Sequence, residues 1–233
     1  MVLIEQHGHR ADVILNRPDK RNALIVPMMA QLRDAFLKLA QDETVHAILV
    51  RGAGGALCSG LDLKTIQSEP PPAWVPDLPR VWQEANIAMA SCNKPMVCAL
   101  EKYAINGGAP IAFASDFIVA GQSAYILVGE VQRGMAAPNN LAWLLGKYGE
   151  AVALRLALLG EPVTAPELFR MGIAHAVVPD DQVVQQATAL ADKLAGFPAA
   201  TSLGIKRAIR ALGGSGLNDP LAWFSRALQN SKA

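Results

Sequence analysis

The feature that most constrains the fold is an apolar strand-like segment that runs through a glycine pair into the start of a helix. Pro95 to Leu100 is a short continuous apolar run, which is typical of a buried β-strand. Asn106-Gly107-Gly108 follows, and Ala109 to Ala114 begins an apolar helix with a proline in its first turn. Such a turn leaves backbone N–H groups free at a helix N-terminus, where negative charge is favoured. A plain strand-to-helix connection has the same pattern, so a second site must agree before the turn indicates chemistry.

A second buried strand also ends in a glycine-bounded turn. This strand runs from Val45 to Arg51 and contains the apolar run A-I-L-V, and Gly60-Leu61-Asp62 lies in the turn that follows. From Asn140 onward the apolar spacing is mostly helical, with a break at Gly213 to Gly216 before a last helix. The chain therefore predicts an α/β fold without the regular alternation of a doubly wound sheet. Residues 66 to 80 carry five prolines and predict a mobile loop.

Composition sets the broad class of protein. A chain of 233 residues is a large single domain, or one domain with a small appendage. Its net charge of +1 argues against a nucleic acid or an anionic membrane as the main partner, and it permits a local basic pocket. Cys58, Cys92 and Cys98 lie in apolar surroundings and predict reduced core residues. No signal peptide and no apolar run of ~18 residues is present, so we expect a cytoplasmic protein with no membrane partner.

The two glycine turns and one glutamate are the candidates for catalysis. Two converging backbone amides form an oxyanion hole, which stabilises negative charge on a carbonyl oxygen. Glu130 follows an apolar segment and Gly129, so we expect it at the edge of a hydrophobic cavity. Burial raises a carboxyl pKa toward the range of a general base. A salt bridge from Glu130 to Arg133 or Lys147 is the structural alternative, and these residues alone leave both open.

Six motifs, in order, resemble the crotonase (enoyl-CoA hydratase/isomerase) superfamily along nearly the whole chain. They are L-N-R-P-D-K-R-N-A-L at 15–24, C-S-G-L-D-L-K at 58–64, K-P-M-V-C-A-L-E-K-Y-A-I-N-G-G-A at 94–109, S-D-F-I-V-A at 115–120, G-E-V-Q-R-G at 129–134 and M-G-I-A-H-A-V-V-P at 171–179. Each motif is weak alone, and the resemblance depends on their order and spacing.

The resemblance implies a crotonase-like spiral of ββα units with a helical C-terminal region. It implies a core with the acyl-CoA site in residues 1–195, a shortened helical segment in residues 196–233, and a homotrimer or hexamer. Leu61 and Gly107 are the expected oxyanion amides, and Glu130 is the expected base. The residues expected around the coenzyme A ester are Arg17, Lys20, Arg21, Lys64, Asp62 and Gly108, with Asp62 in a structural role. No metal is implied, and no cofactor apart from the coenzyme A within the acyl-CoA substrate.

One departure from the family pattern decides which reaction we expect. Family hydratases carry two glutamates; Glu130 matches the second, but the first falls on Pro110. The stretch from Glu130 to Pro138 is similar to the monofunctional Δ3,Δ2-enoyl-CoA isomerases, in which one carboxyl moves a proton from C2 to C4. We therefore expect an isomerase. A hydratase with a recruited second acid, for which Glu84 and Glu101 are candidates, and a catalytically silent acyl-CoA-binding protein are the alternatives.

Overall fold

The main sheet has six strands and runs through the centre of the protein. The structure, a computed structural model, describes residues 1–213 and 216–231. The strands of this sheet are β1 (Val2–His7), β2 (Arg10–Leu15), β3 (Ala47–Gly52), β4 (Met96–Leu100), β6 (Phe117–Gly121) and β9 (Ala176–Val178), in that spatial order. β1 and β2 are antiparallel, and the other neighbouring strands are parallel. Parallel strands are covered on both faces, which explains the continuous apolar runs of β3 and β4.

A smaller sheet lies beside the first and is built from very short strands. It contains β5 (Tyr103–Ile105), β7 (Tyr125–Leu127) and β8 (Val163–Thr164). β5 and β7 are parallel, whereas β7 and β8 are antiparallel. Cys58 forms an isolated parallel bridge with Ala104, so the loop after β3 extends this sheet by one more segment.

Ten α-helices surround the two sheets within the described residues. They are α1 (Val26–Gln41), α2 (Leu63–Ile66), α3 (Leu78–Ser91), α4 (Ala109–Ala114), α5 (Pro138–Lys147), α6 (Glu150–Leu159), α7 (Ala165–Arg170), α8 (Val183–Ala195), α9 (Ala199–Leu212) and α10 (Pro220–Asn230). Short 3-10 turns at Asn106–Gly108 and Glu130–Arg133 precede α4 and α5. In the described part of the chain, no helix combines the length and the apolar character that crossing a membrane requires.

Apolar residues at helical spacing pack α8 against one face of the main sheet. In α8, Val183, Ala187 and Ala191 recur every four residues and pack against Leu49, Val97, Ala99 and Val119 on one face of the main sheet. α1 and α3 belong to the larger core on the other face, which also includes the small sheet. The predicted α/β fold with a helical C-terminal region is confirmed.

The C-terminal helices return to the core. α10 packs against α3 and α5, where the rings of Trp143 and Phe224 meet edge to face with centroids 5.4 Å apart. Trp223 Nε1 donates a hydrogen bond to the carbonyl oxygen of Ala142 (2.9 Å). The predicted glycine break at 213–216 includes residues 214 and 215, which lie outside the described residues, as do residues 232 and 233 of the predicted C-terminal segment.

One sequence prediction is confirmed and another needs correction. The region after Asn140 is mostly helical, as predicted; β8 and β9 also lie there, but strands of two and three residues are too short to show an alternating pattern. The proline-rich region 66–80 is not all loop, since it contains the 3-10 turn Val75–Asp77 and the first residues of α3. Pro79 lies in the first turn of α3, where a missing N–H leaves no hydrogen bond unmade.

Candidate active site

The small sheet brings three loops of the chain to one edge. Cys58, β5 and β7 run parallel, with Cys58 opposite Ala104 and Ala104 opposite Ile126. Leu61, Gly107 and Glu130 follow these three strand positions by three or four residues. Because the carboxyl ends of parallel segments lie at the same edge of a sheet, the three predicted catalytic residues are carried by neighbouring loops.

The turns that carry Leu61 and Gly107 are in direct contact. Gly60 has a φ of +91°, and a Cβ built on it would lie 2.9 Å from the carbonyl oxygen of Ile105, so this position requires glycine. A Cβ built on Gly107 would lie 3.5 Å from Leu61 Cδ2. The main chain at Gly60 therefore lies against the carbonyl group of Ile105, and the side chain of Leu61 lies against Gly107.

Both amides at this contact are available to a ligand. Leu24 donates to the carbonyl oxygen of Gly60 (2.7 Å) and accepts from the N–H of Asp62 (3.0 Å). These bonds use the groups on either side of Leu61, and its N–H has no backbone acceptor within residues 1–213 and 216–231. Gly107 is the second residue of the helical segment that continues into α4, so its N–H is among those a helix leaves unpaired. Leu61 and Gly107 are half-buried rather than sealed in the core.

Glu130 is buried, and within the described residues only one of its two carboxylate oxygens is hydrogen-bonded. Its side chain belongs to a residue that is 9% exposed, and Oε1 accepts a hydrogen bond from Asn140 Nδ2 (2.9 Å). Oε2 is buried and has no hydrogen-bond partner in the part of the chain that the structure describes. Burial raises the pKa of Glu130 above the ordinary glutamate value, although its own backbone N–H, Asn140 and the charge of Arg133 oppose the rise.

The alternative of a salt bridge at Glu130 is wrong for the described residues. Lys147 donates instead to the carbonyl oxygens of Phe113 (2.8 Å) and Ser115. Arg133 is exposed and forms no ion pair with Glu130 within 4.0 Å. The carboxylate of Glu130 therefore lacks the partner that a purely structural role would give it.

Two asparagines that the sequence did not identify connect Glu130 to the Gly107 turn. Asn140 Nδ2 donates both to Glu130 Oε1 and to the carbonyl oxygen of Asn106 (3.2 Å). Asn106 Oδ1 in turn accepts the N–H of Gly129 (2.8 Å), the residue before Glu130. Asn106 has a φ of +49°, a left-handed conformation that asparagine tolerates better than most residues. No sequence pattern predicts these contacts, because they join residues that are 10 to 34 positions apart.

The residues expected around coenzyme A divide into two groups. Arg17 Nη2 pairs with Asp62 Oδ2 (3.0 Å), and Arg17 Nη1 donates to the carbonyl oxygen of Ala23. Asp62 also caps α2 by accepting the N–H of Thr65 (3.1 Å), so both side chains fix the loop that carries Leu61. Lys20, Arg21 and Lys64 are exposed, and the carbonyl oxygen of Arg21 accepts the N–H of Ser59, two residues before Leu61 (3.1 Å). Of the six predicted residues, these three cations are the ones free to reach a ligand.

Gly108 and Cys58 fill the space beneath the two turns. A Cβ built on Gly108 would lie 2.8 Å from Cβ, Sγ and the carbonyl oxygen of Cys58. Position 108 therefore has no room for a side chain, and glycine allows the turn to pack closely on Cys58. Cys58 Sγ donates to the carbonyl oxygen of Asn22 (3.1 Å), and burial raises the pKa of its thiol to about 12. A thiol this weakly acidic is a poor nucleophile at neutral pH.

The other candidate acids and ligands lie elsewhere. Pro110 is buried in the first turn of α4, where the family's first glutamate is expected. Glu84 pairs with Arg33 (2.7 Å) and Arg80 (2.8 Å) on α3. The side chain of Glu101 faces the Gly55 turn, where a Cβ on Gly55 would lie 3.9 Å from its Oε1.

One group of acidic and histidine side chains has a spacing that could hold a metal ion. Within the described residues it consists of Glu5, His7 and Asp12, on β1 and β2. Asp12 already pairs with Arg10 (2.7 Å), and Glu5 lies 3.6 Å from Arg51. This group is not part of the three loops that carry Leu61, Gly107 and Glu130.

Comparison with known proteins agrees with the sequence motifs and with the fold. The family model described as enoyl-CoA hydratase/isomerase matches residues 7–214. The chain is 33% identical over 213 residues to enoyl-CoA hydratase EchA19 of Mycobacterium tuberculosis, covering 89% of this chain and 79% of that protein. It is 33% identical over 190 residues to 1,2-epoxyphenylacetyl-CoA isomerase of Escherichia coli K12, covering 79% of this chain and 72% of that protein.

The fold is similar to that of solved enzymes of the same group. Carnitinyl-CoA hydratase from Mycobacterium avium superimposes with a TM-score of 0.83 at 31% identity, over 99% of this chain and 88% of that one. The predicted crotonase-like fold is therefore confirmed. The chain belongs to the enoyl-CoA hydratase/isomerase family, and it is an acyl-CoA-processing enzyme of that family.

Proposed function

We propose that the protein isomerises the double bond of a 3-enoyl-CoA thioester with Glu130 as its single acid–base group. The carboxylate removes a proton from C2, and the negative charge of the resulting dienolate moves onto the thioester oxygen. The N–H groups of Leu61 and Gly107 stabilise that oxygen. Glu130 then returns the proton to C4, which leaves the double bond conjugated with the carbonyl group. The proton that leaves C2 is the one that reaches C4, so no other acid is needed.

The observation that supports this proposal most directly is the isolation of the Glu130 carboxylate. Hydration needs a second group to handle the proton of water, and the family's first glutamate is replaced by Pro110. Glu84 is neutralised by two arginines, and Glu101 faces a different turn. The free, buried Oε2 of Glu130 and its raised pKa suit a base that must both take and give a proton.

The site also suits the remainder of an acyl-CoA thioester. Lys20, Arg21 and Lys64 are exposed beside the loop of Leu61, where they can meet phosphate groups of coenzyme A. Arg17, Asp62 and Gly108 support the loops instead. Coenzyme A is part of the substrate in this proposal, and no separate cofactor takes part.

Hydration of a 2-enoyl-CoA is the second candidate reaction. It is favoured by the names of several relatives, among them enoyl-CoA hydratase EchA19, which is 33% identical to this chain. A hydratase of this sequence needs a second proton-transferring group that the Glu130 loop does not supply. The third candidate is a catalytically silent protein that only binds acyl-CoA. This candidate requires the Glu130 carboxylate to be unreactive.

The decisive experiment offers a 3-enoyl-CoA and a 2-enoyl-CoA separately in deuterated water. We expect conjugation of the first, seen by ultraviolet absorbance, without water addition to the second. Glu130→Gln should lower the isomerisation rate by roughly 10²- to 10⁴-fold while thioester binding persists. Hydration of the 2-enoyl-CoA would overturn the proposal, and binding without turnover of either compound would favour the silent protein.

Self-assembly is the second part of the proposal, because apolar side chains are exposed beside the Glu130 loop. Val131, Met135, Leu145, Leu154 and Leu158 are between 41% and 64% exposed, and they line one groove of ≈ 460 Å³. Large exposed apolar patches of this kind mark protein contacts. A homotrimer or hexamer of this chain is the assembly we propose, and a cytoplasmic location stays a prediction.

A further inference from the structure

A second cavity lies at the edge of the main sheet opposite the Glu130 site. It has a volume of ≈ 550 Å³ and is lined by Pro95, which precedes β4, and by Asp116 and Phe117 at the start of β6. β4 and β6 are parallel, so their first residues lie at one edge and their last residues at the other. The chain passes from the last residue of β4 toward the Gly107 turn, which places the cavity and the catalytic loops at different ends of the strand.

The walls of this cavity are apolar and partly open. They are formed mainly by Ala114, Phe117, Leu194, Phe197, Ile205, Ile209 and Leu217. Phe197, Ile205 and Ile209 are 45%, 56% and 66% exposed, so apolar surface remains in contact with water. A ligand with an apolar chain would cover this surface, and removal of that area from water favours binding.

The floor of the cavity carries an excess of positive charge. Lys147, Lys206 and Arg210 line it, and Asp116 is its one acidic residue among the described residues. Lys206 Nζ pairs with Asp116 Oδ2 (2.7 Å). Lys147 and Arg210 have only uncharged partners: Lys147 donates to the carbonyl oxygens of Phe113 and Ser115, and Arg210 to that of Ala90 (2.6 Å) and to Asn93 Oδ1 (3.0 Å).

Neighbouring cations that lack a carboxylate partner repel one another, and the half-buried Lys147 shows the effect on its pKa. Burial lowers the pKa of Lys147 to about 8, and the charges of Lys206 and Arg210 add to the decrease, while Asp116 opposes it. Lys147 and Arg210 are half-buried, and cations partly withdrawn from water are ordinarily paired with a carboxylate, which these two lack within the described residues. An anion bound at the floor would supply the missing charge.

We infer that this cavity is a second ligand site, for a single-chain amphiphile whose carboxylate meets Lys147 and Arg210 and whose apolar chain lies along α9. A neutral lipid would leave the cations unpaired. A small polar anion such as inorganic phosphate would leave the apolar walls exposed to water. An anionic head group joined to one apolar chain would pair with the cations and would also cover the apolar walls.

Dodecanoate is the probe we choose, titrated into the protein by calorimetry below its micellar concentration. We expect saturable binding, and dodecanol should bind at least about tenfold more weakly because it lacks the charge. Lys147→Met should weaken dodecanoate binding by about the same factor. Equal affinity for the acid and the alcohol would overturn the inference.

Two matched surface variants test where dodecanoate binds, and one of them controls for a general effect of the added charge on folding. Ile209→Glu puts a carboxylate into the exposed wall and should weaken dodecanoate binding about tenfold or more. Leu212→Glu adds the same charge to the same helix at a residue that is 88% exposed and does not line the cavity, so its affinity should match the wild type. Binding unchanged by Ile209→Glu would show that dodecanoate binds elsewhere, for instance beside Glu130, and would refute the site. These titrations contain no acyl-CoA, so their outcome is independent of the isomerase test.

Discussion

At the scale of single residues, one side-chain amide holds two parts of the candidate site together. Asn140 Nδ2 bonds both Glu130 Oε1 and the carbonyl oxygen of Asn106, the residue before Gly107. The proposed base and one proposed oxyanion donor are therefore fixed relative to each other by Asn140, in addition to the backbone. A hydrogen bond to the charged form of a carboxyl also stabilises that form, so Asn140 opposes the rise that burial causes in the pKa of Glu130.

Asn140→Ala should therefore change the pH dependence of catalysis as well as its rate. Loss of the donor leaves the buried carboxylate less stabilised, so the pKa of Glu130 should increase further. The acid limb of the kcat/KM profile should move to higher pH, and kcat/KM at neutral pH should fall roughly ten- to hundredfold.

The measurement is a pH–rate profile of 3-enoyl-CoA isomerisation, with Asn139→Ala as control. Asn139 is the neighbouring residue and is only half-buried, and it has no side-chain hydrogen bond within the described residues. A lower rate with an unmoved acid limb would mean that Asn140 acts only on the fold and not on the base.

At the scale of elements, the loop that carries Leu61 is fastened to the loop before α1. The ion pair of Arg17 and Asp62 makes this connection, with side chains that are 15% and 8% exposed. Burial disfavours the charged form of Asp62, but the hydrogen bonds from Arg17 and Thr65 outweigh it and lower the pKa below the ordinary aspartate value. The pair therefore contributes stability above the ordinary pKa, and this contribution is lost as pH falls through the lowered one.

Arg17→Met should destabilise the protein by about 3 kcal/mol at neutral pH, because it leaves a buried carboxylate without its cation. The difference in free energy of unfolding from the wild type should shrink in acid, as Asp62 becomes protonated. Urea denaturation at neutral and acidic pH measures both values. Lys64→Met removes the same charge from an exposed position nearby and should change stability little. Equal effects of the two substitutions would contradict the role of the ion pair.

A second prediction at this scale concerns the C-terminal ends of α4 and α5, where Lys147 holds the carbonyl oxygens of Phe113 and Ser115. The pKa of Lys147 is about 8 in the folded protein against an ordinary 10.5, so the unfolded chain binds more protons between these values. Stability should therefore rise with pH across this window because of Lys147, by up to about 3 kcal/mol in total. Lys147→Met should lack this contribution.

The check is the difference in unfolding free energy between wild type and Lys147→Met, measured by urea denaturation at several alkaline pH values. A group that does not interact with Lys147, such as Cys58, whose pKa burial raises to about 12, titrates in both proteins and cancels in the difference. Parallel pH curves for the two proteins would contradict the lowered pKa of Lys147.

Elements long enough to show a period were predictable from the sequence, and the shortest ones were not. The apolar spacing of Met28, Leu32 and Phe36 indicates α1, and all three are fully buried. β5 and β7 have three residues each, too few to show a pattern, yet they align the loops of Gly107 and Glu130. The glycine turns could therefore be identified as candidate sites, whereas the contact of Gly107 with Leu61 and the role of Asn140 depend on tertiary pairing.

At the scale of the whole molecule, exposed apolar residues beside the Glu130 loop predict assembly. Leu158→Glu should shift the protein from the proposed trimer or hexamer toward the monomer, because it buries a charge in the contact. Leu221→Glu is the matched control, since Leu221 is equally exposed, at 64%, and lies on α10 outside the groove. Sedimentation velocity measures the mass of each. A monomeric wild type, or an equal shift in both variants, would contradict assembly through this face.

The thiol of Cys58 is packed beneath Gly108, so its chemical labelling can report when the structure around it opens. An alkylating reagent cannot reach Cys58 Sγ while the two turns are in contact, since the atom is fully buried and a Cβ on Gly108 would already lie within 2.8 Å of it. The labelling rate of this cysteine therefore measures how often the two turns separate. A thioester held by the amides of Leu61 and Gly107, as proposed, would have to dissociate before the turns separate. A lower labelling rate in the presence of the thioester would therefore measure how firmly this substrate holds the two turns together.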